Sequence, residues 1–469
     1  MAFTKGQEIA HDGIIEFIQK GYIDNDFKRA LMGAAGTGKS YLMKSILLDC
    51  GLADSVIGLA APTHKAARVI EMATGKKAST IASDLGLRLN YDADNFDINN
   101  PPFDPKAEKK IKNYKLYIVD EASMISTNLK ILLERECQEY ECQLLYCGDP
   151  YQLPPVNERV SPCFTDVKRY ELTEIVRQEE GNPVKDLLAL LRFDIERRSW
   201  KFLEHISANR FAFDESQTRG YYCCGRYEFE SLVQDGFYRD EFTKNVDLCR
   251  LVTYTNASVS NWNKFIRNNI VDDAHKAIIT RNDLIMSYNT LIEPTGDTII
   301  TNSEDYIIGD LSNFQKSDGL YGFNVKFIQV NGGRYTKPLF IVDHSNHLNL
   351  ALYYQNVCNL IDEAKGANAA SRAIKWKNYY KYREENLLLV NIVDRATGKI
   401  KISRDLDYGF AITSHRAQGS TYTDVYVDVN DIVFNMKTGT PWANIDETLR
   451  RLYVACSRCK NRLFLCYGK

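Results

Sequence analysis

No run of about 18 apolar residues occurs in the 469-residue chain, which argues against a membrane-spanning helix. The opening MAFTKGQEIAHDG carries charge where a secretory leader needs an apolar stretch, so a soluble, cytoplasmic protein with no membrane partner is expected. Charge of one sign is also missing: 59 Lys and Arg stand against 61 Asp and Glu, a net charge of −2. A basic coat is thereby excluded, and a nucleic-acid partner would have to be gripped in a groove. The 12 cysteines are scattered, and the lone CxxC at Cys456 and Cys459 has no second ligand pair at a zinc-site spacing. Reduced thiols and no cysteine-held metal are expected. No internal repeat or low-complexity tract is visible. What is left is a long chain, 44% hydrophobic, able to bury several cores and expected to fold as about three or four domains.

The strongest local signal is GAAGTGKS at 33–40, which fits GxxxxGK(S/T). Gly33, Gly36 and Gly38 let the backbone fold around a phosphate and turn its N–H groups inward. In such a loop Lys39 offers a point charge to the β and γ phosphates, and Ser40 offers a hydroxyl to Mg2+. RALM before it reads as a buried strand, and SYLMKSILLDC after it places Leu42, Ile46 and Leu47 on one helical face. Gly33, Gly36, Thr37, Gly38, Lys39 and Ser40 are therefore the candidate nucleotide-binding set.

SVIGLAAPTHKAA, YKLYIVDEAS and CQLLYCGDPYQLPPV follow, each a short apolar run ending in polar or glycine-containing residues. That rhythm predicts a parallel α/β sheet whose polar clusters meet at the carboxyl ends of the strands. It returns in LCRLVTYTNASVSNWNKFI, YGFAITSHRAQGS and LRRLYVACSRCKNRLFLCY, so a second α/β lobe is expected. The expected organisation is a first lobe at 1–82 and 114–178, a β-hairpin insertion at 83–113, and a second lobe at 179–285 and 401–469. A β-rich, barrel-like insertion at 286–400 carries a helical extension. In the hairpin, Leu85, Leu87, Leu89 and Tyr91 alternate, DADN turns the chain, and Phe96 and Ile98 alternate again. In the extension, NAASRAIKWKNYYKYREEN is read as a solvated helix packing its Trp and Tyr on the neighbouring β insertion, with nucleic-acid stacking as the other reading.

Asp120 and Glu121 in YIVDEAS stand just past a strand, where one carboxylate can hold Mg2+ and the other can take a proton from an attacking water. Beside a P-loop, that pair points to nucleotide hydrolysis. In GDPYQLPPV, Gln152 is placed to sense a γ phosphate.

Taken in order, these motifs resemble superfamily 1 helicases, B-type (RecD-like) branch. The resemblance implies two RecA-like lobes, ATP and Mg2+ as cofactors, and a role for each motif. TKGQ resembles the adenine-reading Q motif, giving Gln7 the base. APTHKAA is similar to motif Ia, giving Thr63 and His64 a DNA strand, and ASTIAS to motif Ib, giving it Thr80; Ala82 stands where the family usually has His. ELTEIVRQ resembles motif IV with Arg177 as an arginine finger, and YTN supplies Asn256 to the DNA. AITSHRAQGST is similar to motif V, with Thr413 and His415 on the strand and Gln418 and Gly419 on the nucleotide. LYVACSRCK resembles motif VI, with Arg458 as a second finger and Ser457 where Thr is commoner. Lys39, Glu121, Gln152, Arg177 and Arg458 would be catalytic, Ser40 and Asp120 would hold the metal, and Phe96 would be the pin that splits a duplex.

The A-type branch typically shows GDxxQSIYxFRGA and TIHxxKGLE, whereas this chain has GDPYQLPPV and SHRAQGST. The resemblance therefore implies an ATP-dependent DNA helicase moving 5′ to 3′ on single-stranded DNA and opening forked duplex. Single-strand-binding or replication proteins are implied partners, in the replication, repair or recombination of a bacterial or phage-infected cell. The alternatives are a translocase that strips proteins from DNA without unwinding, and a P-loop kinase or nuclease-coupled ATPase.

Overall fold

The computed structural model describes residues 3–89, 103–105, 107–155, 158–174, 181–271, 274–292, 298–316, 318–330, 333–394 and 396–468. Its first sheet has six parallel strands, in the order Ser79–Thr80, Ile57–Ala61, Leu116–Val119, Gln143–Gly148, Lys28–Gly33 and Lys168–Leu172. The three strands Ile57–Ala61, Leu116–Val119 and Gln143–Gly148 are buried along their whole length. This is why they read as continuous apolar runs: helices cover both faces of such a sheet. Ala10, Ile14 and Phe17 of helix Lys5–Gln19 pack one face together with Leu42 and Ile46 of helix Lys39–Asp49. Leu133 and Cys137 of helix Thr127–Glu139 pack the other.

The second sheet also has six strands, in the order Ala411–Thr413, Cys249–Thr253, Tyr422–Asp428, Cys459–Cys466, Gly220–Cys224 and Phe211–Phe213. Only the edge pair of Phe211–Phe213 with Gly220–Cys224 is antiparallel. The fold is thus α/β with two RecA-like parallel sheets. Their carboxyl edges carry the loops that hold the motifs.

The insertion in the second lobe is an antiparallel five-stranded sheet, Leu339–Val342, Tyr321–Gln329, Asp305–Gln315, Leu284–Ser287 and Leu406–Tyr408 in order. Its outer members extend beyond the 286–400 read from the sequence, because Leu284–Ser287 and Leu406–Tyr408 pair with one another. Two helices, His347–Gly366 and Ala369–Glu385, pack together on it. Trp376 and Tyr379 are buried in a cluster with Tyr353, Phe340 and Leu388, so the aromatic stripe of this basic helix is core. In the first lobe, Leu87–Leu89 pairs antiparallel with Phe103–Pro105, a return strand further along the chain than the alternation at Phe96 and Ile98 suggested. Phe96 itself lies outside the described residues.

Candidate nucleotide cleft and strand channel

Strand Lys28–Gly33 runs between two neighbours, so the loop after Gly33 opens in the middle of the carboxyl edge. Gly38 has φ 81° and a Cβ there would lie 2.5 Å from Gln7 Nε2, so only glycine fits. Thr37 is buried, and its Oγ1 donates to the Ala34 carbonyl at 2.9 Å. Lys39 Nζ donates to the carbonyls of Gly33 at 2.6 Å and Ala34 at 3.1 Å, which holds the ammonium over the loop. Ser40 follows in the first turn of helix Lys39–Asp49. Gln7, also buried, braces this loop: Nε2 donates to Thr37 O at 3.0 Å, while Oε1 accepts from Thr4 N at 3.1 Å as part of a capping box. One hydrogen of Nε2 has no partner among the described residues.

Asp120 and Glu121 leave the strand Leu116–Val119, one strand removed from the P-loop strand across Gln143–Gly148. Glu121 has φ 52°, a left-handed conformation that a non-glycine residue adopts at a cost of about 1–3 kcal/mol. Burial, then the charge of Glu121, pushes the Asp120 carboxyl up to about 7, against the pull of Lys39. Glu121 Oε2 is buried without a hydrogen-bond partner among the described residues. A crowded carboxylate pair with an orphaned oxygen is a donor set that suits a hard divalent cation and its waters. On the next strand Gly148 permits a close approach, since a Cβ there would lie 2.8 Å from Phe164 and 3.2 Å from Ala122 N.

The second lobe meets this edge through helix Ile445–Ser457. Tyr453, fully buried, donates to Asp149 Oδ2 at 2.8 Å, and its hydroxyl accepts from Ala35 N of the P-loop at 3.2 Å. Arg450, one turn earlier and paired with Asp446, donates to the carbonyls of Pro150 at 2.6 Å and Gln152 at 3.2 Å. Gln418 Nε2 donates to Leu153 O at 3.1 Å and lies 3.5 Å from Gln152 Oε1. Gly419, at φ 71°, lets the chain pass Ala66 of the first lobe, whose Cβ would be 3.3 Å from an added one. Gln152, Gln418 and Gly419 thus share one seam.

Arg458 differs from its expected placement. It is buried and donates to Val454 O, to Ser457 Oγ and to Ser420 O at 3.2 Å, all within its own lobe. The groups that touch the P-loop side are Tyr453 and Arg450 instead. Arg177 lies outside the described residues. The strand before it ends at Leu172, the partner of Gly33, so the chain leaves the sheet beside the P-loop.

Four residues expected on a strand come together. Thr63, Asn256, Thr413 and His415 line one cavity of about 460 Å3 along with Lys65, Tyr254, Arg416 and Gln418. The fold explains the convergence: Thr63 and Thr413 cap short helices that follow parallel strands, accepting from Ala66 N and Arg416 N, and Asn256 opens a third helix. Buried Asp431 fixes that third turn by accepting from Thr253 Oγ1, Tyr254 N, Thr255 N and Thr255 Oγ1. Burial, with help from the charge of Arg451, lowers the His415 pKa and so disfavours the charged imidazole. His64 is exposed at the start of helix His64–Thr74. Thr80 also caps a helix, its hydroxyl accepting from Ser83 N, but it is buried and does not line this cavity.

A second contact between the lobes was not expected from the sequence. Lys65, buried in helix His64–Thr74, lies 3.3 Å from Asp305 Oδ2 and 3.4 Å from Tyr422 OH, and Asp305 is held in turn by Arg250 at 3.0 Å. Burial opposes the Lys65 charge, but Asp305 outweighs it and holds the ammonium above its ordinary pKa. One turn on, Arg68 pairs with Glu304. A lysine that falls on the apolar side of an amphipathic helix was the one signal available in APTHKAARVIEM.

A family described as an AAA domain matches residues 16–207. The chain is 24% identical over 514 aligned residues to protein R530 of Acanthamoeba polyphaga mimivirus, covering 98% of this chain and 99% of the relative. It is 26% identical over 340 residues to the ATP-dependent DNA helicase Dda of Enterobacteria phage T4, covering 68% and 71%. A Bacteroides Pif1 helicase structure in complex with ADP-AlF3 and ssDNA superposes with a TM-score of 0.50 at 14% identity, over 99% of this chain and 92% of that one, a likeness of fold.

Proposed function

We propose that this chain, which resembles the Dda helicase, is a superfamily 1 helicase of the RecD-like branch that hydrolyses ATP to move 5′ to 3′ along single-stranded DNA and to separate a forked duplex. The observation that carries this reading is the shared cavity: Thr63 comes from one lobe and Asn256, Thr413 and His415 from the other, so one bound strand would bridge both. Contacts of that kind, from hydroxyls, an amide and helix starts, fit phosphates and are tolerant of sequence.

On the nucleotide side, the P-loop N–H groups and Lys39 would receive the β and γ phosphates, and Gln7 would offer its remaining amide hydrogen to the base. Ser40 and Asp120 would hold Mg2+, which when bound neutralises charge on those phosphates. Glu121 would accept the proton of the attacking water, and Gln152 would orient it. Arg177 and Arg458 remain the proposed fingers; for Arg458 that role requires its guanidinium to exchange the Ser420 carbonyl for phosphate. Because Tyr453 and Arg450 tie the loop 149–153 to the second lobe, a change at the phosphates would reach the strand channel through helix Ile445–Ser457. Phe96 is the proposed separation pin.

The test is phosphate release with and without single-stranded DNA, followed by unwinding of duplexes with a 5′ or a 3′ tail. Stimulation by DNA and opening of the 5′-tailed substrate alone are expected. Lys39→Ala should lower hydrolysis at least about 100-fold and abolish unwinding. Equal ATPase rates with and without DNA would refute the coupling. ATP consumption that never separates strands but displaces a bound protein would favour a stripping translocase. Phe96→Ala should slow unwinding far more than hydrolysis.

A further inference from the structure

The strand channel does not close at Asn256. A second, larger cavity of about 950 Å3 also has Asn256 on its wall and runs between helix Asn256–Ile270 and the antiparallel insertion. Along its helical side, Asn256, Ser260, Lys264 and Asn268 recur every four residues, all exposed, while Val259, Trp262 and Ile266 pack inward. The facing side, contributed by the insertion, includes Tyr321, Phe323, His344 and Asn391.

The chemistry of this lining suits one class of ligand. Arg267 is neutralised by Asp283, and Arg404 by Asp407 at 2.5 Å. Asp343 accepts from Ser345 N and Oγ. Lys264 has no ion-pair or hydrogen-bond partner among the described residues, so its ammonium is available to an anion. His344 Nδ1 is buried and has no hydrogen-bond partner among the described residues either. Amides and a hydroxyl in a row, a lone ammonium, and aromatic rings opposite them match a sugar-phosphate backbone on one side and base faces on the other. An apolar peptide would leave most of these polar groups unpaired.

We propose that single-stranded nucleic acid leaving the channel at Asn256 continues into this groove, with Lys264 on a phosphate and bases against the Tyr321, Phe323 and His344 wall. The proposal rests on the reading of the smaller cavity as the strand channel. The insertion then forms the second wall of the path and lengthens the grip on the strand.

The experiment titrates fluorescein-labelled oligothymidines of stepped length into wild type, Ser260→Trp and Lys264→Ala. Both positions are on the exposed face of the helix, so neither change disturbs its packed side. For wild type, affinity should climb with length until channel and groove are filled. Ser260→Trp should bring the plateau a few nucleotides earlier. Lys264→Ala should weaken the longest oligomers about threefold to tenfold and lower the slope of log K against log salt by about 0.7, as expected for one lost phosphate contact on a single strand. If both variants keep the plateau length and the salt slope of wild type, the groove is not a strand site. If wild type binds no oligothymidine of any length, the channel reading falls and takes the groove with it.

Discussion

On the nucleotide side the two lobes touch through a tyrosine hydroxyl, carboxamides, main-chain carbonyls and an arginine already matched by Asp446. On the insertion side they touch through full charges, Lys65 against Asp305 and Arg68 against Glu304. The difference has a mechanical meaning. A hydroxyl or a carbonyl can exchange a protein partner for a phosphate oxygen, a water or another carbonyl at a cost of about 1 kcal/mol. A buried ammonium that loses its carboxylate has no equal substitute. The nucleotide seam is therefore the one suited to remaking its contacts in each cycle. The insertion seam is suited to staying closed and acting as the fulcrum.

The largest effect should come from breaking the fulcrum at its centre. Asp305→Asn leaves both Lys65 and Arg250 buried without a carboxylate, and should cost about 3–5 kcal/mol, read as a lower midpoint in chemical denaturation. Lys65→Met removes a charge while Asp305 keeps Arg250, so its loss should be clearly smaller. Equal losses would mean that Arg250 does not share Asp305 and that the two lobes are not joined through it.

Next in size is the neutral seam. Tyr453→Phe keeps the packing and removes one hydroxyl, leaving Asp149 Oδ2 and Ala35 N short of a partner, a cost of about 1–3 kcal/mol. If this seam carries the signal, stimulation of ATPase by DNA should fall about fivefold or more, the factor that 1 kcal/mol corresponds to, while hydrolysis without DNA changes less. A uniform loss at all DNA concentrations would reduce Tyr453 to a packing residue.

How much of this could be read along the chain depended on how local the cause was. The P-loop was legible because its left-handed turns at Gly36 and Gly38 need glycine, wherever the rest of the chain goes. Thr63, Asn256 and Thr413 were named through the motif resemblance, and parallel strand order carries each to the carboxyl edge of its sheet, where the two edges meet. Thr80 has the same look and caps its helix in the same way, but it does not line the shared cavity, and only the fold shows that. Tyr453 and Arg450 were out of reach for a different reason. Their partners are 304 and 300 residues away, across a lobe boundary, and no periodicity spans that distance. Lys65 pairs across 240 residues and was hidden in the same way. The helix around Trp376 was readable because large aromatic bodies among charged residues find their burial on the nearest β surface.

The nucleotide seam also borders a charge that the seam itself does not neutralise, and pH can separate the two. A carboxyl raised to about 7 in the folded protein, from 3.8, keeps its proton where the unfolded chain has lost it. Its contribution to stability is therefore present below about pH 4 and lost as pH rises through about 7. In metal-free protein, Asp120→Asn should raise the melting midpoint at pH 8 by a few degrees and leave it nearly unchanged at pH 4. The same carboxyl must release its proton to hold a divalent cation, so Mg2+ should recover for wild type at pH 8 the midpoint that Asp120→Asn gains without it. A pH-independent gain would place the cause outside this titration.

The smallest effect belongs to the outer pair of the fulcrum and tests whether charge, rather than shape, closes it. Glu304 is buried, and burial raises its pKa while Arg68 pulls it down, but the Arg68 side chain is 29% exposed. Solvent reaches the guanidinium, so the pair is screened and is worth about 1 kcal/mol or less. Arg68→Gln should therefore lower the midpoint slightly at low ionic strength, and the deficit should shrink as salt brings the Debye length from about 30 Å to about 8 Å. The Lys65 to Asp305 contact, shielded from solvent, should show no such dependence, and Lys65→Met should lose the same stability at both ionic strengths. If the two variants respond to salt alike, the burial that separates a fixed fulcrum from an adjustable seam is not what holds these lobes together.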